Sequence, residues 1–465
     1  MSQLPDSHMS SNHVSPSRHV FAGIFLAIGL LFGGCTTDSE TESQPRQQLA
    51  SEIETALTKH LLDVWYPRVI DEEHGGYLST FSHDWVPVGD QEKMIVTQAR
   101  HVWTLSEASH WYPEREYLEA ARRGVTFLSD HMWDKTHGGF YATVDRTGQP
   151  PLTDDDPVLK EAYGQAFALY GLAAYFEASE DSTALRLAQR GFRWLETHSH
   201  DSEHGGYFQF LRRDGTPYTD GYEGTPPKDY NSSIHLLEAL TKLYQVWPDS
   251  LVRERLREMS RIVRDTMVAE KGYLQLYFRR DWAPVTYEDS AAAAQNQYRL
   301  DHVTFGHDVE TAYLLLEAAH ALGREDPAAT RKIGKRMVDH ALRYGWDGEK
   351  GGLYDRGYHF AGDDRVTITD STKTWWSQAE MLNTLLLMSK LYPDDSRGYA
   401  DTFEQQWAYV QNYLIDEKHG GWYRGGLDEA PDQEKAPKAG IWKGNYHTAR
   451  SLINSLARLQ SDRSP

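Results

Sequence analysis

The stretch His137-Gly138-Gly139-Phe140 is one copy of a turn motif that occurs six times along the chain. Each copy places one or two glycines between a charged residue and an aromatic residue or leucine. The copies are His74-Gly75-Gly76-Tyr77, His137-Gly138-Gly139-Phe140, His204-Gly205-Gly206-Tyr207, Lys271-Gly272-Tyr273, Lys350-Gly351-Gly352-Leu353 and His419-Gly420-Gly421-Trp422. Their first glycines are about 63, 67, 67, 79 and 69 residues apart, and a period of this kind indicates a repeat architecture.

Each repeat is too long for one helix and long enough for two helices with a connecting loop. Six helix pairs that pack only on their neighbours form either an open solenoid or a closed ring. A total of six favours closure, so the sequence predicts an all-α fold, a single (α/α)6 barrel. The glycines permit positive φ in a tight turn, and we expect the residue after them to plug the end of the barrel.

Helical periodicity between the turns separates two sets of segments. A set rich in alanine and leucine is predicted to form the inner ring: 96–111, 163–178, 232–247, 309–322, 375–391 and 446–459. A more charged set is predicted to form the outer ring: 52–65, 116–131, 183–198, 251–270, 328–344 and 399–416. Residues 278–287 indicate a short β-hairpin at the loop end, and residues 281–304 are the longest departure from the repeat.

The composition favours a folded soluble domain and argues against nucleic-acid binding. The chain has 465 residues, 40% of them hydrophobic, with 14 Trp, 27 Tyr and 15 Phe. Its formal net charge is −20, whereas phosphate contacts require clustered Lys and Arg. The sequence also contains no P-loop and no glycine-rich dinucleotide fingerprint after a strand.

The N-terminus carries a segment typical of export. Residues 20–32 are apolar and too short to span a bilayer, but they have the length of a signal-peptide core. Cys35, the single cysteine of the chain, follows directly after two glycines. The pattern predicts a bacterial lipoprotein signal over residues 1–35 with lipid attachment at Cys35, although Phe32 stands where leucine is usual. The alternative is an ordinary cleaved signal of a secreted or periplasmic protein.

This reading divides the chain into three parts. The signal of residues 1–35 is followed by a polar tether, 36–50, and by the catalytic barrel, 51–462. We expect the protein in the bacterial cell envelope, facing the periplasm or the outer surface, with membrane contact through the lipid only. The true start, Met1 or Met9, stays open. Because no cysteine follows Cys35, the barrel has no disulfide, thiolate metal site or cysteine nucleophile.

The starts of the predicted inner helices carry an unusual set of polar residues. Because inner helices of a barrel all start at one end, we expect these side chains to converge on one pocket. The segments are Gln98-Ala99-Arg100, Lys160 with Tyr163-Gly164-Gln165-Ala166-Phe167, Asn231-Ser232-Ser233-Ile234-His235 with Glu238, Gly306-His307-Asp308-Val309-Glu310, Trp375-Trp376-Ser377-Gln378-Ala379-Glu380, and Trp442-Lys443-Gly444-Asn445-Tyr446-His447.

In these six segments, taken in order, the chain resembles the N-acylglucosamine 2-epimerase superfamily, and within it the cellobiose 2-epimerases. The resemblance covers nearly the whole chain from about residue 52. It implies an (α/α)6 barrel that acts on the reducing end of a sugar. Ser232 stands where threonine is commoner and Gly444-Asn445 replaces a more usual Cys-Pro, departures that bear on substrate preference more than on the reaction.

The resemblance also implies roles for individual residues. His307 and His447 would be the acid/base pair, with His235 as a further catalytic candidate. The residues that would support them or stack on sugar rings are Arg100, Tyr163, Asn231, Glu310, Trp376 and Trp442.

The chemistry of the residues agrees with this reading. Inverting C2 of an aldose requires ring opening, removal of the C2 proton and return of a proton to the other face. Histidine suits both tasks because its unperturbed pKa is about 6.5. Arg100 has donors for the enediolate oxygens, and Glu310, three residues after His307, is predicted to orient that imidazole. No cofactor is expected, since the reaction conserves redox state.

Other functions fit parts of the pattern. An aldose–ketose isomerase or an N-acylglucosamine 2-epimerase would use the same enediolate on a monosaccharide. Asp308 and Glu380 offer the two carboxylates of a glycosidase, and an inactive barrel would be a surface glycan-binding lipoprotein. The three histidines are spread over three repeats without a His-x-x-x-His pair, which argues against a metal site. We expect a small oligosaccharide as partner and a monomer or weak dimer.

Overall fold

A computed structural model describes residues 37–151, 160–287, 300–323, 326–360, 362 and 365–461, with side chains from residue 44 onward. The chain forms two compact units, Met1–Pro45 and Arg46–Pro465, and the second contains the repeats. Cys35 and the predicted signal segment lie outside the described residues. The first helix begins at Thr37, so the helical structure includes most of the residues assigned above to a tether.

Six inner helices confirm the predicted inner ring. Each helix begins within four residues of the predicted start. Each packs between two helical neighbours and the outer layer, so apolar side chains occupy nearly its whole surface. The helices are α2 Ile95–Trp111, α4 Ala162–Ser179, α6 Tyr230–Val246, α8 Phe305–Ala321, α10 Trp375–Leu391 and α12 Tyr446–Gln460.

Six outer helices alternate with them and present one buried face each. Three continue into π-helical turns, Thr58–Leu62, Leu128–Met132 and Ile262–Met267. The outer helices are α1 Thr37–Leu57, α3 Tyr117–Phe127, α5 Ser182–His198, α7 Ser250–Arg261, α9 Pro327–Tyr344 and α11 Tyr399–Tyr413.

Short antiparallel strands line the end at which the inner helices start. The strand before one inner helix pairs with the strand of the following repeat, as in β1–β2 and β3–β4. The predicted hairpin after residue 278 is present, since Phe278 pairs with Pro284. The strands are β1 Lys93–Met94, β2 Thr143–Val144, β3 Lys160–Glu161, β4 Phe210–Leu211, β5 Lys228–Asp229, β6 Tyr277–Phe278, β7 Val303–Thr304, β8 Arg356–Tyr358 and β9 Thr367–Asp370.

Contacts between the first and last repeats close the ring. Trp407 of α11 donates its indole N–H to Glu52 of α1 at 3.0 Å. Arg46 donates to the carbonyl of Leu459 in α12 at 2.8 Å. Repeat six therefore packs on repeat one, and the closed barrel rather than the open solenoid is confirmed. Among the described residues, no helix combines the length and apolar character needed to span a bilayer.

The glycine turns are held by a buried lysine–aspartate pair. In the second repeat, Asp134 accepts hydrogen bonds from the backbone N–H groups of Thr136 and His137 at 2.9 and 3.1 Å. The Lys160 ammonium lies 3.1 Å from the same carboxylate. Gly139 has φ of 71°, and a Cβ there would lie 2.8 Å from the Trp194 ring, so glycine is required. Equivalent pairs are Lys93–Asp71, Lys228–Asp201, Lys373–Asp347 and Lys438–Asp416.

A glutamine on the inner helix clamps the residue after each of three turns. The Gln165 amide accepts from the backbone N–H of Phe140 at 2.8 Å and donates to its carbonyl at 2.7 Å. The other two pairs are Gln98 with Tyr77 and Gln378 with Leu353. In the sequence, Lys160 and these glutamines are grouped with the pocket residues. The structure shows that they hold the turns instead, and that the residue held by each glutamine packs between the helix layers.

The fourth repeat departs from this scheme in several positions at once. Val303 occupies the place of the turn lysine, since it pairs with Gly357 as Lys93 pairs with Val144. Leu274, not Tyr273, takes the clamped position, and Asp308 accepts its backbone N–H at 2.7 Å. The turn has lost its second glycine together with its buried ion pair.

Replacing Lys93 by methionine should lower the free energy of unfolding by about 3 kcal/mol. The ammonium lies 3.0 Å from the Asp71 carboxylate and donates to the carbonyls of Gly75 and Arg146 at 2.6 and 2.8 Å. All three acceptors lose this partner in the variant. Urea unfolding measures the effect, with the exposed Lys135→Met as control, expected within about 0.5 kcal/mol of the unmodified protein. Equal stability of both variants would show that the pair is dispensable.

Candidate active site

One side chain from each inner helix enters a buried cluster below the strand end of the barrel. Five of these residues occupy the same position of the repeat, counted from the turn lysine or, in the fourth repeat, from Val303 in its place, and the sixth comes from the start of α12. They are Arg100, Phe167, His235, Glu310, Glu380 and His447. The structure thus brings together most of the predicted site residues.

His447 and His235 each contact a carboxylate through Nδ1. The His447 Nδ1 atom lies 2.7 Å from Glu380, and the His235 Nδ1 atom lies 2.8 Å from Glu238. Because a carboxylate only accepts hydrogen bonds, Nδ1 carries the proton in both pairs and Nε2 is left as the basic atom. Burial lowers the pKa of His447 well below its usual range, and the charge of Arg100 adds to this, so the resting imidazole is neutral.

His307 has a different partner. Its Nδ1 atom lies 2.9 Å from the Thr304 hydroxyl, so the sequence prediction that Glu310 orients His307 is wrong. Glu310 instead lies 3.8 Å from His447 Nδ1 and 2.5 Å from Arg450. Burial, and then the neighbouring His235, lowers the pKa of His307 well below its usual range.

The Trp376 indole contacts both predicted acid/base histidines. Its ring centroid is 4.5 Å from that of His307 and 5.7 Å from that of His447. His307 also contacts Tyr230, whose ring centroid is 4.8 Å from that of the imidazole with the two rings nearly perpendicular. This arrangement holds two imidazoles beside one aromatic surface, as needed for groups that act on one sugar.

Arg100 lies on the opposite wall of the cluster. It donates a hydrogen bond to the Tyr163 hydroxyl at 3.0 Å, and its guanidinium lies over the Phe167 ring at 4.2 Å. Asn231 lies near the Tyr163 hydroxyl, and the Tyr163 ring is 5.4 Å from that of His235. The predicted residues Arg100, Tyr163, Asn231 and His235 are therefore neighbours.

Arg450, which the sequence analysis did not single out, lies beneath the histidines. It contacts Glu238, Glu310 and Glu380 together. The spacing in the sequence could have identified Arg450. It follows His447 by three residues, as Glu238 follows His235, and this spacing places each pair on one helix face. Glu380 had been considered only as half of a glycosidase pair.

Two predicted residues lie elsewhere. Trp442 is 56% exposed, in the segment before α12, and does not enter the buried cluster. Asp308 accepts from Leu274 behind the inner helix, and its second oxygen is 3.7 Å from His340. Asp308 is therefore engaged outside the buried cluster that contains Glu380, which removes the alternative of an Asp308–Glu380 glycosidase pair.

Two groups in the described part of the chain have metal-ligand geometry. Glu310, Glu380 and His447 place one ligand atom each within 4.8 Å of one another. Arg450 already lies 2.5 and 2.6 Å from the two carboxylates, so a metal ion would have to compete with a fixed guanidinium. Asp347, Asp428 and Glu429 form the second group, and there the Lys373 ammonium lies 2.7 Å from both aspartates.

Fold and site together define a barrel enzyme whose buried histidines, carboxylates and arginine suit proton transfer on a sugar. The chain belongs to the N-acylglucosamine 2-epimerase (GlcNAc 2-epimerase) family, whose sequence profile matches residues 75–451.

Individual relatives within the family indicate the class of enzyme more closely. The chain is 29% identical over 416 residues to the cellobiose 2-epimerase of Bacteroides fragilis, covering 88% of this chain and 98% of that one. It is 26% identical to a D-mannose isomerase of Marinomonas mediterranea, covering 88% and 98%. The solved cellobiose 2-epimerase of Spirochaeta thermophila has 30% identity and a TM-score of 0.75, covering 91% and 99%. The protein is therefore a carbohydrate epimerase or isomerase with an (α/α)6 barrel.

Proposed function

We propose that the enzyme inverts C2 of the reducing-end glucose or mannose unit of a β-linked disaccharide or short oligosaccharide, of the cellobiose type. The observation that carries this is the pair of histidines, buried His447 and half-buried His307, that both contact the Trp376 indole. Epimerisation needs a proton carrier on each face of C2, and two imidazoles supply them.

The contacts of the two histidines support distinct proton chemistry. When Nε2 of His447 takes the C2 proton, the imidazolium that forms is stabilised by the Glu380 carboxylate 2.7 Å from Nδ1. His307 enters this step as an imidazolium, gives its proton to the opposite face of C2 and becomes neutral. The reverse reaction exchanges the roles of the two histidines. Arg100 offers donors to the enediolate oxygens, with Tyr163 as its hydrogen-bond partner.

The other predicted residues have places in this proposal. His235, hydrogen bonded to Glu238, and Asn231 lie beside Tyr163, where they reach hydroxyls of the same sugar. Glu310 adds negative charge near His447. The exposed indole of Trp442 lies outside the buried cluster, where it suits the C–H face of a second sugar ring. Relatives that act on cellobiose by name support a disaccharide substrate.

Product analysis tests the proposal. The purified enzyme is incubated with cellobiose, mannobiose, glucose and mannose, and products are identified by NMR. We expect the 2-epimer of cellobiose or mannobiose as main product. A ketose as main product would instead favour an aldose–ketose isomerase, the candidate supported by the D-mannose isomerase relative. Unchanged disaccharides in both incubations would contradict the proposal, and binding without turnover would indicate a glycan-binding barrel.

We further propose that the protein is anchored by lipid at Cys35. The support is the sequence alone: a 13-residue apolar segment at 20–32 that ends next to Gly33-Gly34-Cys35. Diacylation plus an amide-linked chain exceeds the two signals that stable membrane attachment requires. Fractionation should place the unmodified protein with membranes and Cys35→Ala in the soluble fraction. Identical soluble behaviour of both would contradict the anchor.

A further inference from the structure

Arg450 joins both histidine–carboxylate pairs. Its Nη2 atom lies 2.5 Å from Glu310 Oε1 and 2.6 Å from Glu380 Oε1. Its Nη1 atom donates to Glu238 and, at 2.6 Å, to the Tyr446 hydroxyl. The Arg450 side chain is 1% exposed, so these contacts take the place of water at its two terminal nitrogens, while the buried Nε atom has no hydrogen-bond partner.

One guanidinium therefore forms ion pairs with three buried carboxylates. Burial raises the pKa of Glu380, and Arg450 opposes that rise. Burial, then the charge of Glu380, raises the pKa of Glu310. Burial also opposes ionisation of Glu238, but Arg450 and His235 outweigh it and lower its pKa to about 2. Without Arg450, like charges at this spacing would force at least one carboxyl group to take a proton.

Whether Glu238 and Glu380 are ionised determines which ring nitrogen of each histidine carries the proton. Ionised Glu380 and Glu238 can only accept from Nδ1 of His447 and His235, whereas a protonated carboxyl group could donate to Nδ1 instead. We propose that Arg450 is a positioning residue: it holds Glu238 and Glu380 as carboxylates, fixes Nδ1–H in His235 and His447, and thereby leaves both Nε2 atoms basic. The inference rests on the proposed function, because it gives His447 a part in proton transfer.

Two features favour this role over simple packing. A buried ion cluster gives no stability advantage over apolar residues of the same volume, so its presence indicates a task beyond folding. The guanidinium fork also reaches Glu238 with one nitrogen and both Glu310 and Glu380 with the other. Lysine has a single nitrogen and cannot reproduce this geometry.

The test compares Arg450→Lys and Arg450→Met by pH profile and by proton NMR. In the unmodified protein Arg450 lowers the pKa of Glu380, so its loss raises that pKa and the active carboxylate forms only at higher pH. For cellobiose turnover by Arg450→Met we expect kcat to fall at least 100-fold, with the acidic limb moved up by about one pH unit or more. KM should change less than threefold, and Arg450→Lys should lie between the two.

A readout independent of turnover separates this inference from the proposed function. The Nδ1–H protons of His235 and His447, hydrogen bonded to carboxylates, should give low-field NMR signals that Arg450→Met loses. Arg458→Met is the matched control, because Arg458 is a half-buried arginine of the same helix, α12, and donates to Asn383 instead. This variant should keep both signals and the pH profile.

Several outcomes would overturn the role of Arg450. They are a kcat of the methionine variant equal to that of the unmodified protein, an equal loss at every pH with both signals retained, or failure of both Arg450 variants to fold by circular dichroism. No turnover of cellobiose by the unmodified enzyme, with the signals behaving as expected, would overturn the proposed substrate and leave the positioning role supported.

Discussion

Replacing His447 or His307 by alanine should lower kcat about 10²–10⁴-fold, the loss typical of removing one acid/base group. Each variant removes the proton carrier on one face of C2, and the remaining histidine cannot serve both faces. His447 is buried and His307 half-buried beside Trp376, and water lacks the basicity of the lost imidazole. Initial rates with cellobiose, measured by NMR or a coupled assay for the product, give the loss.

The control for these variants is His320→Ala. His320 is exposed at the end of α8, on the same helix as His307, and should leave kcat and KM unchanged. Melting temperatures of the three variants close to that of the unmodified protein exclude unfolding as the cause. If either His307→Ala or His447→Ala keeps the unmodified kcat, that histidine serves packing only.

Glu380→Gln should lower kcat about 10²-fold or more while keeping the side-chain volume. A neutral amide cannot stabilise the imidazolium that forms when His447 accepts the C2 proton. It also brings an NH2 group toward the Arg450 guanidinium, 2.6 Å from Glu380 Oε1, or toward His447. The pH dependence of kcat and KM measures the effect, and we expect a smaller change in KM than in kcat.

A surface glutamate supplies the comparison for this variant. Glu119 pairs with Arg122 on the exposed face of α3, and Glu119→Gln should leave kcat unchanged. Equal activity of Glu380→Gln and Glu119→Gln would mean that the carboxylate behind His447 has no part in proton transfer.

The sequence predicted the barrel because its determinants are local and repeated. Each Gly-Gly turn marks a helix boundary, and the apolar periodicity of the inner helices gave their positions within a few residues. The roles of Lys160, Gln165 and Asp308 were not accessible in this way. They appear as polar residues near helix starts, and only their hydrogen bonds to the preceding turn show that they hold backbone in place.

The sequence indicated which residues form the site, but not which of them contact one another. His307, His447, Arg100 and Tyr163 were identified by position and resemblance, and the structure brings them together. Arg450 reaches Glu238 across 212 residues of sequence, a distance over which no spacing rule applies. The same limit explains Glu310, whose helix neighbour is His307 but whose contacts come from α12.

The direct test of the central claim is deuterium incorporation from D2O. The enzyme is incubated with cellobiose in D2O, and the epimerised product is examined by proton and carbon NMR. A two-histidine epimerisation through an enediolate predicts deuterium at C2 of the reducing-end unit of the product. Product that forms with its C2 hydrogen wholly retained, or deuterium found only at C1 of a ketose, would contradict the account.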